Sequence, residues 1–548
     1  MHLSSSPARL KELFNVDAQR SLLFSAIRLD SHPLVAPIIA ERDDEEPTLL
    51  VRQQEQGNIL SAGVPREKIR FYAPWVTIDP EPLDGIEAAG SLKDLVKELA
   101  DASSVVFAPE IAYTHYLAME DSIDIEVEPL KESPVAVYRL DENEILERFA
   151  QWRKNGVEAA KDLIKDVPHL DGLEVELDAV GRDTRYELLK DIAKNHALSA
   201  IFFAAPPNFS EVTGLDATER SAALWSAEDG AVYLLQPQES EVPNSAERIS
   251  TFDSTSEAID SLIGDGKNIG VEEEYIGTAL ALSLTQGEVV PIQIELSHWR
   301  DVRDSEDLPF QVIAARTSVT IMENTLEWTR KRIDRGEEFT ELDIYDKYLA
   351  ELELFTKDIP FDVEPYFTNL HSSNRMLFPG PPVDFPINAS TRCIQLDAGV
   401  AVKQDGVVLG TSDMARSLPR TEAAVEAYEY FFDVVREGII GQLRPGVVCA
   451  DVHEATLDYV APKLSRMVEI GMLGKDTDFN GIYRKRNVGH LMGKQESFAN
   501  ELRPGYKHVL HHGSYGAAEI PWRYNGVAIG TEDLWYIGAN KTFILSQH

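Results

Sequence analysis

The sequence predicts an α/β (α+β) fold of more than one domain, and three observations carry that prediction. Up to about residue 300, short apolar runs alternate with helical stretches, as in strands interleaved with helices. From Asp304 a long helix with one apolar stripe takes over. Beyond it come strand-like runs with acidic residues at their ends. A chain of 548 residues has room for two to four domains of about 150 residues each. The expected divisions are 1–165, 166–303 and 304–548. The first two read as similar α/β units, candidates for diverged copies, although no fixed-period repeat is visible.

In chain order, Leu22–Arg28, Leu34–Ala40, Thr48–Val51 and Val105–Ala108 read as strands, and Ser91–Leu99 as a helix with serine at its N-cap. Asp141–Ile164 is a long polar helix and an expected domain edge. Thr184–His196 is amphipathic, and Leu198–Ala205 is a buried strand stopped by Pro206-Pro207. Ala222–Trp225 and Ala231–Leu235 form a hairpin around Asp229-Gly230. Val312, Ala315, Val319, Met322, Leu326 and Ile333 make the stripe of the long helix, with Gly336 as its cap and Thr340 opening the next helix. Thr421–Glu437 repeats the pattern with Val425, Tyr428, Phe432 and Val435 on one face. Pro445-Gly446 breaks it, and Ala450–Val460 resumes.

Composition narrows the function classes. With 43% hydrophobic and 26% charged residues, 33 Gly and 29 Pro, the chain is globular rather than disordered, collagenous or coiled-coil. The longest run free of charge and strong polarity, Ala197–Pro207, is well short of the roughly 18 residues of a membrane span. Met1–Phe14 has no apolar core of signal-peptide length, so a cytoplasmic location is expected. Cys393 and Cys449 are too few for a disulfide framework or a thiolate metal site. Ninety-two acids against 52 bases give a net charge of −40. The tight basic cluster Arg484-Lys485-Arg486 is no basic face, which argues against a nucleic-acid partner. Most of the acids read as a solvated coat.

A minority of the acids sit where solvation does not account for them. In Cys393–Arg416, two β-prone runs flank Gln404-Asp405-Gly406. A three-residue loop ending in a left-handed glycine sets Lys403 against Val407 and carries Asp397 directly opposite Asp413, with Cβ atoms about 5 Å apart. Two carboxylates so placed call for a cation, a shared proton or another register. Gly489-His490 follows a short β-like stretch, Glu519 stands in Ala517–Pro521, and Glu532 in Ile529–Trp535. An unpaired buried glutamate is costly and needs a partner. Four carboxylates and one imidazole at strands or strand ends match two divalent cations, with Mn²⁺, Co²⁺ or Fe²⁺ suiting the set.

The order Asp, Asp, Gly-His, Glu-x-Pro, Glu-Asp resembles the pita-bread metallopeptidase superfamily of methionine aminopeptidase, aminopeptidase P, prolidase and creatinase. Asp397 lies in Leu-Asp-Ala-Gly, Asp413 in Ser-Asp-Met-Ala-Arg-Ser, and Gly526–Ile529 is similar to that family's lead-in to the last glutamate. Ser199–Leu215 resembles the N-terminal domain of aminopeptidase P and creatinase. The resemblance covers residues 180–548 and, more weakly, the first 165. It implies two such N-terminal α/β domains before a pita-bread catalytic domain. It also implies roles: Asp397 on one metal ion, Asp413 and Glu532 bridging two, His490 and Glu519 on the other. Glu519 and His490 are the implied catalytic residues, with Glu519 as proton acceptor beside a metal-activated water. The ions implied are two divalent metals, manganese first, with cobalt, iron or zinc as alternatives. Arg416 is a candidate to hold a substrate carboxylate. A homodimer, a peptide or small-amide substrate and no membrane partner complete the expectation.

The sequence departs from that family at two histidines. Met376–Pro381 stands where a Pro-His segment is usual, and Gln495-Glu496 or Ser497-Phe498 where a His-Glu pair is usual. His371, His508, His511 and His512 are nearby, each read as a surface residue. The readings that follow are an Xaa-Pro aminopeptidase- or prolidase-like metallohydrolase and a non-peptidase relative, creatinase-like or dimethylsulfoniopropionate-lyase-like. A third is a binding module without catalysis, like the histone-chaperone member.

Overall fold

The computed structural model describes the chain apart from residues 17–35, 44, 75–86, 101–103, 132, 218–221, 238–245, 265, 285–286, 302–304, 373–374, 376–379, 484–485, 495–499, 521–522, 525–526 and 548. The expected strand Leu22–Arg28, Arg484-Lys485, Met376–Pro379, Gln495–Phe498 and the boundary at 303 lie outside the described residues.

Among the described residues, two mixed seven-stranded sheets occupy the N-terminal half. In the first, Thr48–Arg52, Ile38–Glu41, His2–Ser4, Val105–Phe107 and Ile125–Val127 lie side by side. The first two junctions are antiparallel and the last two parallel. In the second, Val232–Pro237, Ala222–Ser226, Ala200–Phe203, Ile269–Val271 and Val289–Pro291 repeat that order and those senses. Helices recur at matching places: Pro7–Phe14 and Pro206–Thr213 follow the central strands, and Leu92–Ala100 and Thr255–Ile263 precede the next parallel ones. This shared pattern is what a diverged duplication looks like in three dimensions.

Val135–Leu140 pairs with Val232–Pro237 and Glu247–Phe252, so it belongs to the second sheet. The helix that follows it, Glu142–Ile164, packs into the same core as that sheet. The change of unit therefore falls before Val135, some way ahead of the boundary expected at 165. A helix with charged exposed positions looks like an edge in sequence, yet its apolar face joins the sheet behind it.

Among its described residues the C-terminal part holds two four-stranded sheets. One contains Asp362–Ser372, Cys393–Gln404, Val407–Thr411 and Met414–Pro419; the other Gly489–Leu491, Tyr515–Glu519, Glu532–Ile537 and Thr542–Ile544. The long helix spans Leu308–Asp334, with Pro309 in its first turn, and every residue of the expected stripe is buried. Thr340 caps the next helix, Glu341–Thr356, in a capping box with Asp343. The helix Glu422–Asp433 runs into a π-helical turn, Val434–Ile439. Its buried face is Ala424, Ala427 and Phe431, whereas Val425, expected inside, is 43% exposed. Alanines let that helix approach its neighbours closely, and the apolar spacing alone did not show which face would turn inward.

One contiguous apolar core runs from Ala136 of the second sheet through the long helix to Leu545. Phe310 sits in it, edge-on to Phe361 at 5.5 Å. Phe310→Ala is expected to cost about 3–5 kcal/mol in equilibrium denaturation. A loss within about 0.5 kcal/mol would show that the two regions do not share this core.

Candidate metal centre

The hairpin Cys393–Thr411 turns through Asp405 and Gly406, both at positive φ (51° and 80°). Gln404 faces Val407, and a bulge between Val402 and Lys403 shifts the register again. The expected three-residue loop is thus a two-residue one. Asp397 faces Ala415 rather than Asp413. The slip is even, so the two aspartates keep the same face of the ladder while no longer standing directly opposed. Direct like-charge opposition, unfavourable in a sheet, is relieved.

In the second C-terminal sheet His490 pairs with Ala517, and Glu519 stands opposite Glu532. Alternation places all three side chains on one face and Asp533 on the other. Asp413 Oδ2 and Glu532 Oε1 each lie 3.6 Å from His490 Nε2. One ligand atom from each of these three residues lies within 4.8 Å of the other two, and all three residues are buried. Asp397 and Glu519 are not part of this close trio. Asp397 pairs with Ala415, two residues beyond Asp413, and accepts a hydrogen bond from Asn369 Nδ2 at 3.3 Å. Glu519 is one strand across from Glu532. Two carboxylates and an imidazole converging in a buried place are a donor set that fits a hard-to-borderline divalent cation.

Arg416 does not reach this face. It is 4% exposed, and it donates from Nη2 to Asp533 Oδ1 at 2.6 Å and from Nη1 to the Glu532 carbonyl at 2.8 Å. Arg436 Nε donates to the other oxygen of Asp533, and Ser546 Oγ to the first. Burial alone would raise the Asp533 pKa, but the two guanidiniums outweigh it and hold the carboxyl at about 2. The substrate-binding expectation for Arg416 is corrected accordingly. Its charge is spent inside the protein, behind the strand that carries Glu532.

Residues the sequence reading passed over surround the trio. Glu501 forms an isolated bridge with His490 and accepts from Asn487 Nδ2 at 2.7 Å; burial raises its pKa. Tyr515 donates to the Thr411 carbonyl at 2.9 Å, close to the charges of Asp413 and Glu532. No local motif marks either residue, because both arrive through strand pairing. His371 is 1% exposed, not a surface residue, and its strand partner Gln395 places it on the face of Asn369 and Asp397. His508 and His511 are partly buried, their rings 6.1 Å apart, and His512 pairs with Glu176.

The family model described as metallopeptidase family M24 matches residues 313–539. Over that stretch the C-terminal region is similar to the pita-bread metallopeptidases. Its fold is shared over the whole chain by the X-prolyl aminopeptidase from Caenorhabditis elegans, described as a cytosolic enzyme with a di-nuclear active site. That likeness has a TM-score of 0.56 at 13% identity and covers 98% of this chain and 83% of that one. Prolidase from Pyrococcus furiosus matches at 0.50 and 16%, covering 66% of this chain and 99% of its own. The N-terminal domain of FACT complex subunit SPT16 from Cicer arietinum (chickpea) matches at 0.51 and 14%, covering 66% and 96%. At these identities the likeness is one of fold, and it bears out the α/β (α+β) architecture with a pita-bread C-terminal part. No curated protein sequence matches the chain. Among the described residues no helix is long and apolar enough to cross a membrane.

Asp533→Asn leaves buried Arg416 without its carboxylate and is expected to cost about 3–5 kcal/mol in chemical denaturation; an unchanged midpoint would contradict the clamp. His508 is held down to about pKa 4 by burial, then by His298 and His511. A histidine neutral when folded but protonated when unfolded lets stability fall as pH drops from about 6.5 towards 4. His508→Gln should flatten the melting temperature between pH 6.5 and 5, and an unaltered slope would count against that assignment.

Proposed function

We propose that this protein is a metal-dependent hydrolase acting on the amide bond of a peptide or small amide. The observation that carries the reading is the buried convergence of Asp413, His490 and Glu532 inside the segment matched by metallopeptidase family M24. Asp397 would hold one divalent ion, Asp413 and Glu532 would bridge two, and His490 and Glu519 would hold the second. Manganese is the first candidate and cobalt, iron or zinc the alternatives. When bound, such ions supply an activated water and polarise the scissile carbonyl. Glu519, the last residue of its strand, would take the proton from the attacking water and pass it to the leaving nitrogen. His490 and Glu532 keep the polar face of the sheet aimed at the reacting atoms. Peptide substrate, homodimer and cytoplasmic location belong to this reading. So does a three-domain division, with its first boundary before Val135 instead of at 165.

A second reading, a relative working on a small molecule by creatinase-like C–N hydrolysis or by lyase-like elimination, is favoured by two specific observations. Met376–Pro381 and Gln495–Phe498 lack the histidines of the peptidase pattern. Arg416, the candidate anchor for a substrate carboxylate, is bonded on the opposite face. The retained ligand set weighs against a binding module without catalysis.

Purified chain supplemented with Mn²⁺ is expected to hold about two ions by elemental analysis. Asp413→Asn should weaken binding at least about a hundredfold. Protein that retains no manganese, cobalt, iron or zinc under these conditions would sink both catalytic readings. Screening Xaa-Pro dipeptides beside other dipeptides, small amides and amidines separates them: rapid Xaa-Pro turnover selects the first, and turnover confined to a non-peptide selects the second.

A further inference from the structure

The segment that carries His490 ends in a lysine whose burial the catalytic reading does not explain. Lys494 is 3% exposed, yet its ammonium donates to Glu211 Oε2 at 2.5 Å and lies 3.4 Å from Asp307 Oδ1. Glu211 stands on the helix Pro206–Thr213 beside the second N-terminal sheet, and Asp307 just ahead of the long helix. The Lys494 backbone N–H donates to Asp301 Oδ1 at 3.1 Å, and Arg300 holds that same carboxylate through two hydrogen bonds. One residue earlier, the Gly493 carbonyl accepts from both the backbone N–H and the Oγ1 of Thr411, each at 3.0 Å. A Cβ at Gly493 would come within 2.7 Å of the Asp301 Cα, so the backbones touch there.

These contacts link three things: the second N-terminal unit, the strand end that carries His490, and the strand end two residues before Asp413. A buried ammonium needs its carboxylates, so Lys494 can occupy only the place where Glu211 and Asp307 converge. From that place the chain runs four residues back to His490 and crosses by way of Gly493 to Thr411. We infer that Lys494 is a positioning residue, through which the second N-terminal unit sets the geometry and affinity of the metal centre. The inference rests on the metal-centre reading of Asp413, His490 and Glu532. Its role is separable from theirs because its ammonium is paired with Glu211 and Asp307.

The test uses the full-length chain with Lys494→Met, Glu211→Gln and Lys494→Arg. In metal-free protein, amide exchange at Leu491–Lys494 should quicken about tenfold or more in Lys494→Met while Thr48–Arg52 in the first sheet is unaffected. Titration calorimetry with Mn²⁺ should show about tenfold weaker binding, a smaller loss in Glu211→Gln and near-restoration in Lys494→Arg. Wild-type exchange rates together with wild-type Mn²⁺ affinity in a folded Lys494→Met would overturn the inference, even if its melting temperature fell. Should Lys494→Met not fold, Glu211→Gln decides by the same two readouts. Wild-type protein that binds no Mn²⁺ would instead defeat the proposed function, and the exchange measurement would still decide whether Lys494 anchors the segment.

Discussion

The contact between Arg416 and Asp533 is the constraint from which the rest of the C-terminal structure follows. Arg416 belongs to one sheet and Asp533 to the other, and their charges meet where water is excluded. A buried pair of this kind adds little net stability over an apolar one, but losing a partner is expensive, so the two strands are held to one alignment. Because side chains alternate along a strand, fixing Asp533 behind the sheet fixes Glu532 in front. Arg416 also binds the Glu532 carbonyl, and its own strand begins immediately after Asp413. The back of the sheet thereby brings the two carboxylates on its front within reach of His490.

Crowding acids on that front face runs against the rules that stabilise a fold. Asp413 and Glu532 are buried within a few ångströms of each other in a chain already carrying a net charge of −40. Sites that break a folding rule locally while the scaffold obeys it are where function concentrates. A divalent cation is the complement that removes the conflict, since it replaces repulsion with coordination. The remaining acids largely obey the ordinary rule, pairing with arginine or lysine at the surface or facing solvent.

The N-terminal half is more than a covering. Its two sheets share a five-strand pattern, but they relate differently to the centre. The first packs its own cores on both faces, whereas the second shares a core with the long helix and the first C-terminal sheet. A charged network crosses that same junction through Arg185, Glu211 and Lys494. Apolar burial joins the units without specifying direction, and hydrogen-bonded charges at fixed positions supply the alignment.

Much of this was legible in the chain itself. The apolar period of Val312 to Ile333 announced the long helix, Thr340 its successor, and Asp229-Gly230 a hairpin, because these features depend on neighbours a few residues away. Residue type and order likewise marked Asp397, Asp413, His490, Glu519 and Glu532 as one chemical set. What the chain could not display was register and facing. A turn of two residues instead of three, together with a bulge between Val402 and Lys403, moved Asp397 opposite Ala415. Arg416 turned out to face Asp533, Glu501 came to His490 across an isolated bridge, and Lys494 is held by Glu211, far away in sequence. By itself, then, the sequence determined which elements form and which groups are candidates for the chemistry, since propensity, capping and residue type are local. Tertiary structure alone decided which of those groups share a face and which are neutralised behind it, because strand register and charge burial are settled between separate segments, over a hundred residues apart for Arg416 and Asp533.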